Sequence, residues 1–260
     1  MPEFVEVAEK AARAAGAVLR NWSGKLGVRE KGPADLVTEA DLAAQVAARE
    51  VILQSFPRHD FIGEEQPSPI DVEREYCWIV DPLDGTTNFV HGVPQYAVSV
   101  ALARRGEPIA ATIFDPSQNE CFTAASGSGA WLNGVRLHVS QVDDLSQALV
   151  ACSFPARITA NAPEISQFIS VVLIAQAIRR TGSAALNLAY IASGRFDAFW
   201  ATETKSWDVA AGVLLVTEAG GTVRGVDGGA FDLRRPHPLA TSNLRLNDQL
   251  LSLFASGQAG

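Results

Sequence analysis

Six apolar segments follow one another between Phe61 and Leu137, and a chain that carries so many in succession must pair them as a sheet. They run from Phe61 to Gly63, Tyr76 to Val80, Tyr96 to Ala103, Ile109 to Phe114, Cys121 to Ala124 and Ala130 to Leu137. Arg105-Gly106 turns the third into the fourth, and Asn133-Gly134 supplies a strong hairpin signal inside the last. Before this block, Val7, Ala8, Ala11, Ala15, Val18, Leu19 and Trp22 recur three and four apart, which predicts an amphipathic helix from Phe4 to Trp22. A polar turn follows at Lys31 to Asp35. Thr38-Glu39-Ala40-Asp41 then reads as a capping box opening a second helix that runs to about Phe56 and is closed by Pro57.

Past Asp143-Asp144 the pattern alternates. A strand from Ala148 to Ser153 precedes a helix over Pro163 to Ile178 and another over Ser183 to Ser193. Phe196 to Trp200 reads as a strand, Asp208 to Ala219 as a helix ended by Gly220-Gly221, and Leu244 to Phe254 as the last helix. The expected division is therefore an N-terminal α+β half, 1–145, and a C-terminal α/β half, 146–260, sharing an interface.

Composition removes several function classes. Twenty-nine acidic against 21 basic side chains leave a formal charge of -8, the wrong sign for neutralising nucleic-acid phosphates. Cys77, Cys121 and Cys152 are widely spaced and form no CxxC pair, so a reducing cytoplasm is expected rather than a disulfide frame or a zinc site. Met1 to Lys10 carries Glu3, Glu6 and Glu9 and lacks a secretory pattern. No apolar run approaches the ~20 residues of a membrane span. The histidines lack metal-ligand spacing, and Gly127-Ser128-Gly129 lacks the rest of a dinucleotide fingerprint.

The chemistry concentrates in Trp78-Ile79-Val80-Asp81-Pro82-Leu83-Asp84-Gly85-Thr86-Thr87-Asn88, where two carboxylates follow an apolar strand at a turn. Two acids so placed can converge on one hard cation, and Gly85 lets backbone amides approach an anion. Taken alone the string is also ordinary Asp-Pro turn chemistry. Two further acidic strand or helix ends, Gly63-Glu64-Glu65 and Trp207-Asp208, tip the balance toward a site. Four such acids facing one another would need cations or raised pKa values.

With these motifs, and with Trp207-Asp208-Val209-Ala210-Ala211-Gly212 continuing to Thr217-Glu218-Ala219-Gly220-Gly221, nearly the whole chain resembles the inositol monophosphatase family of magnesium-dependent, lithium-sensitive phosphatases. The resemblance implies an α+β fold, a layered αβαβα sandwich, and two or three Mg2+ ions. It implies one ion on Glu64, Asp81 and the Leu83 carbonyl, a second on Asp81, Asp84 and Asp208, and a third sharing Glu64. It also implies a catalytic group of Glu64, Thr86 and Asp41, in which the Thr86 hydroxyl, held by Asp41, orients a water for in-line attack on phosphorus. Asp41 would additionally serve its helix N-terminus. Substrate contacts are expected from Asp84, Gly85, Thr86, Gly182, Ser183, Ala184 and Asp208, with Ser183 capping its own helix as well.

The implied reaction is hydrolysis of inositol 1-phosphate or a similar small phosphorylated polyol by a cytoplasmic homodimer. Counting back from Asp208 reaches Ala201, where inositol-specific members commonly place a glutamate touching ring hydroxyls. Glu203 stands two residues on, and the local bend decides whether it reaches the substrate. Histidinol-phosphate phosphatase, fructose-1,6-bisphosphatase and nucleotide 3'-phosphatase activities therefore stay open. A reading from another class is a regulatory partner of RNA or protein with secondary catalysis, against which the charge of -8 counts where RNA is concerned.

Overall fold

The computed structural model describes residues 2–22, 28–32, 35–65, 74–155 and 157–256, with side chains left aside at 28–38 and 256. The chain opens with α1 (Pro2–Trp22), a strand pair β1 (Val28–Gly32) and β2 (Asp35–Thr38), and α2 (Glu39–Ser55). Next come β3 (Asp60–Gly63), β4 (Cys77–Asp84), a short α3 (Thr86–Val90), β5 (Ala97–Arg104), β6 (Glu107–Asp115), β7 (Glu120–Ala125), β8 (Gly129–Leu132) and β9 (Val135–Arg136). The last part holds β10 (Leu149–Ser153), α4 (Pro163–Val172), β11 (Ala177–Arg179), α5 (Ala184–Ala192), β12 (Ala198–Ala201), α6 (Ser206–Glu218), β13 (Thr222–Gly225), β14 (Pro238–Thr241) and α7 (Leu244–Ser256).

Strands β3 to β9 form a seven-stranded sheet in chain order, whereas the five-stranded sheet runs β11-β10-β12-β14-β13. Side-chain alternation along each strand explains the layering. In β4, Trp78 and Val80 pack toward α1 and α2, while Cys77 and Ile79 pack toward α5 and α6. In β12, Phe199 and Ala201 face α5 and α6, while Ala198 and Trp200 face α4 and α7. The result is the α+β, αβαβα sandwich that the resemblance implies. α5 and α6 are apolar on nearly every side because each is covered by a sheet above and below.

The helices fit their neighbours through small residues. Ala8, Ala11, Ala12 and Ala15 of α1 and Ala40, Ala44 and Ala48 of α2 are fully buried in one cluster, so the two helices pack closely over the sheet. Gly212 of α6 lies against Leu188 of α5, and a Cβ there would stand 2.4 Å from the leucine Cβ.

Several expectations are corrected. The helix expected over 163–178 stops at Val172, and Ala177–Arg179 instead pairs in parallel with β10, where the β-branched Ile178 suits a sheet better than a helix end. The polar turn expected at 31–35 overlaps the ends of β1 and β2, which pair antiparallel, and residues 33–34 lie outside the described residues. The proposed Thr38 cap concerns a side chain that is likewise outside them. The Asn133-Gly134 turn has both residues in the left-handed region, φ 48° and 82°, as a two-residue hairpin requires. Among the described residues, no helix is long and apolar enough to cross a membrane.

One half-buried contact is sensitive to protons. His59 is stacked between Phe56 and Tyr76, with ring centres 4.7 and 4.6 Å away, and its Nδ1 accepts from Trp78 Nε1 at 3.2 Å. Burial pushes the His59 pKa below its usual 6.5, opposed by the charges of Asp60 and Glu75. The unfolded chain therefore binds the proton more readily, and the stability from neutral His59 is complete above the unfolded pKa and lost as pH falls through the folded one.

Two measurements follow. In chemical denaturation, the fall in midpoint from about pH 7.5 to about pH 5.5 should be shallower in His59→Phe than in the wild type, since the titrating group is gone. Gly212→Val should lower unfolding stability by about 1–3 kcal/mol or more, because α5 and α6 must separate to admit the side chain.

Candidate active site

Local strand geometry creates the site. Asp81 pairs with Ser99 and Asp84 with Ala97, so three steps along β4 oppose two along β5. A regular strand would send residues three apart to opposite faces. The extra residue of this bulge turns both carboxylates to the face covered by α5 and α6. Pro82, which has no N–H to donate, sits inside the bulge at no cost in ladder bonds. Asp81 Oδ1 accepts from the Leu83 amide at 2.9 Å, which tightens the turn.

The remaining parts are tied to this bulge. Gly85, at φ 97°, starts α3, and a Cβ there would lie 2.9 Å from the Gln95 carbonyl oxygen, so only glycine fits. The Thr86 hydroxyl lies 3.3 Å from Asp41 Oδ1 and 3.1 Å from the Leu83 carbonyl oxygen, and Asp41 is buried at the start of α2. Glu64 follows β3, its amide bonded to the Val80 carbonyl at 3.2 Å, while the Glu65 amide donates to Gln45 Oε1 at 3.0 Å.

Two bonds carry the other half of the chain to the bulge. Ser99 Oγ donates to the Trp207 carbonyl at 3.1 Å and so sets the start of α6, with Asp208, opposite Asp81. Asn88 Nδ2 donates to the Thr181 carbonyl at 2.8 Å and fixes the segment before α5. Neither was expected from the sequence. Ser99 could have been found as the lone polar residue in the apolar run Ala97 to Ala103.

Glu64, Asp81, Leu83, Asp84, Gly85, Thr86, Gly182, Ala184 and Asp208 all line one cavity of about 580 Å3. Asp41 lies behind Thr86. Ser183 is fully buried and does not line the cavity: its hydroxyl donates to Asp84 Oδ2 and accepts from the Leu186 amide at 3.1 Å. Asp84 also accepts from the amides of Ala185 at 2.8 Å and Ala184 at 3.3 Å. Ala201 is fully buried in the layer between the sheets. The wall beyond it is formed by Thr202, Glu203 and Thr204, with Ser153, Phe154 and Arg180 also lining the cavity.

Burial dominates the electrostatics. It pushes Asp81 well above the usual carboxylate range, and the charges of Glu64, Asp84 and Asp208 push further. Asp84 rises to about 6, burial outweighing its bonds from Ser183, Ala185 and Ala184. Asp208 rises to about 8, through burial and the charge of Asp84, although its amide bond from Lys205 opposes this. Among the described residues, no three His, Cys, Asp or Glu side chains close into a metal-binding shell by themselves. The acids share a cavity, yet Asp84 and Asp208 each lend oxygens to the start of a helix. The donor set nonetheless fits magnesium: carboxylates and the Leu83 carbonyl offer hard oxygens, and the cavity contains neither His nor Cys.

The motif from Thr217 to Gly221 has another task. Glu218 accepts from the Gly127 and Gly129 amides at 2.8 and 2.7 Å and clamps the turn between β7 and β8 onto α6.

The description of the inositol monophosphatase family matches residues 1–259. An inositol-1-monophosphatase of Rhizobium meliloti is 44% identical over 209 residues, covering 80% of this chain and 79% of its own. A protein named Nus factor SuhB from Salmonella typhimurium LT2 is 42% identical over 233 residues, covering 88% and 87%. The crystal structure of the extragenic suppressor protein suhB from Bartonella henselae superposes with a TM-score of 0.92 at 38% identity, covering 98% of this chain and 99% of that one. The agreement of sequence, fold and site places the chain in the inositol monophosphatase family.

Proposed function

We propose that the chain is a magnesium-dependent phosphomonoesterase that hydrolyses inositol 1-phosphate or a similar small phosphorylated polyol. The observation that carries this reading is the β4 bulge, which turns Asp81 and Asp84 to the same face as Glu64 and Asp208. Glu64, Asp81 and the Leu83 carbonyl would hold one Mg2+, and Asp81, Asp84 and Asp208 a second, with a third sharing Glu64. When bound, the ions supply positive charge to the phosphoryl and leaving oxygens and make a water more acidic.

The chain's own groups do the rest. Asp41 draws the Thr86 hydroxyl into a fixed direction, so that its oxygen can accept from an attacking water. Glu64, which lines the same cavity, can take the proton of that water. Gly182 and Ala184, at the start of α5, offer a polar wall to substrate, and Ser183 acts behind them by holding Asp84. The halves 1–145 and 146–260 each supply part of this machinery. We further expect a homodimer, and a cytoplasmic location consistent with three buried free cysteines.

The relatives named Nus factor SuhB favour a second reading, a regulatory association with RNA or protein beside catalysis. Salt-dependent retention of RNA by the purified chain would support it, and retention is expected to be absent at a net charge of -8.

Phosphate release should be measured from inositol 1-phosphate, histidinol phosphate, fructose 1,6-bisphosphate and adenosine 3',5'-bisphosphate, with Mg2+ and then with added Li+. Lithium-inhibited turnover with preference for the inositol ester is expected, and no release from any ester would remove the phosphatase reading. Asp84→Asn should lose about 100-fold or more of the activity while keeping its circular dichroism, because a ligand is lost and carboxylate repulsion relieved. Undiminished turnover would overturn the metal assignment.

A further inference from the structure

One fully buried side chain behind the cavity wall uses only half of its amide. Asn187, inside α5, has no exposed surface, and its Oδ1 accepts from the Thr181 hydroxyl at 2.7 Å. Its Nδ2 has no hydrogen-bond partner among the described residues. Buried donors are rarely left idle, and those that are idle often belong to a second arrangement of the same groups.

Thr181 is held on its other side as well. Its carbonyl accepts from Asn88 Nδ2 at 2.8 Å, and the same Nδ2 donates to the Gln95 carbonyl at 2.7 Å. Gly182, next in the chain, has φ 88°, and a Cβ there would stand 2.7 Å from Asn88 Nδ2. The backbone of this stretch is therefore fixed, and only the hydroxyl of Thr181 is left to vary. Thr181 is half-buried and lines the cavity, whereas Asn187 does not.

A hydroxyl has one hydrogen to give and can accept two bonds. That hydrogen is committed to Asn187 Oδ1, while the Ser183 amide, 3.4 Å away, occupies one accepting position. A half-turn of the Asn187 amide exchanges the roles. Nδ2 then donates to Thr181 Oγ1, and the hydroxyl hydrogen is released toward the cavity. One amide atom of Asn187 is idle in either orientation, so the half-turn leaves the number of bonds within the protein unchanged. An acceptor oxygen in the cavity adds a bond to the turned form alone, and such a difference is what lets a ligand shift an equilibrium between two forms.

Resting on the phosphatase reading above, we propose that Asn187 is a positioning residue whose amide turns over when substrate binds, so that the Thr181 hydroxyl donates to an acceptor oxygen of the ester. That oxygen belongs either to the phosphoryl group or to a hydroxyl of the polyol. Asn187 touches no substrate and acts through Thr181.

The first test is steady-state kinetics of the Mg2+-loaded enzyme on inositol 1-phosphate. Thr181→Val keeps the shape and removes the hydroxyl. It should raise KM about tenfold while kcat falls less than about threefold, and Thr181→Ser should recover most of the loss. Asn187→Leu should raise KM about threefold, and adding it to Thr181→Val should raise KM no further. An unchanged KM in Thr181→Val overturns the Thr181 contact and leaves the phosphatase reading standing. Additive losses in the double variant overturn the action through Thr181. If the wild type hydrolyses none of the four esters named above, the phosphatase reading falls and this proposal with it. The second test follows the Asn187 side-chain amide resonances of the Mg2+-loaded chain as inorganic phosphate and inositol are added, at concentrations that together inhibit turnover. The resonances should move in the wild type and stay in Thr181→Val. Movement with phosphate alone assigns the acceptor to the phosphoryl group, and movement that needs inositol assigns it to the polyol. Resonances that stay in the wild type, or move equally in Thr181→Val, overturn the turnover of the amide.

Discussion

The candidate site depends on one extra residue in one strand. Without the bulge between Asp81 and Asp84, one carboxylate would face α5 and α6 and the other would be driven into the alanine-rich packing under α1 and α2. With it, both acids point into the layer where the two central helices begin. The ties that complete the site then follow from the strand: Ser99, directly opposite Asp81, holds the start of α6, and Asn88, just after the bulge, holds the start of α5.

Those two helix starts explain how a sheet can bury so much like charge. Asp84 accepts from Ser183 and two amides at the start of α5, and Asp208 accepts from the Lys205 amide at the start of α6. Free amides and the positive end of a helix dipole thus face the acids from two directions. They reduce the burden of burial without removing it, since Asp84 and Asp208 still stand at about 6 and about 8.

Much of this was legible in the sequence because alternation and small-residue periodicity are local signals. α1, α2 and the strands from β3 to β8 appear where their apolar patterns put them, and the acids of Gly63-Glu64, Asp81 to Asp84 and Trp207-Asp208 come to one cavity. What was not legible depends on partners distant in sequence. β13 and β14 are short strands fixed by pairing with each other and with β12, and β11 was hidden in a run that reads equally as helix. The burial of Ser183 behind Asp84 depends on which way a neighbouring carboxylate turns. The bend at Glu203 is set by His237 and Pro236, more than thirty positions away.

A cluster of buried acids is a poor way to stabilise a fold, and its surroundings show how that cost is met. The layers on either side are dense with alanine, so helices and sheets approach closely and gain dispersion and apolar burial over long stretches. Glu218 adds a clamp at the far end of α6, anchoring the helix that carries Asp208 at a point remote from the acids. A helix fixed at its C-terminal end can hold a repelling carboxylate at its N-terminal end without shifting, and the repulsion is then kept as affinity for cations rather than relieved by movement.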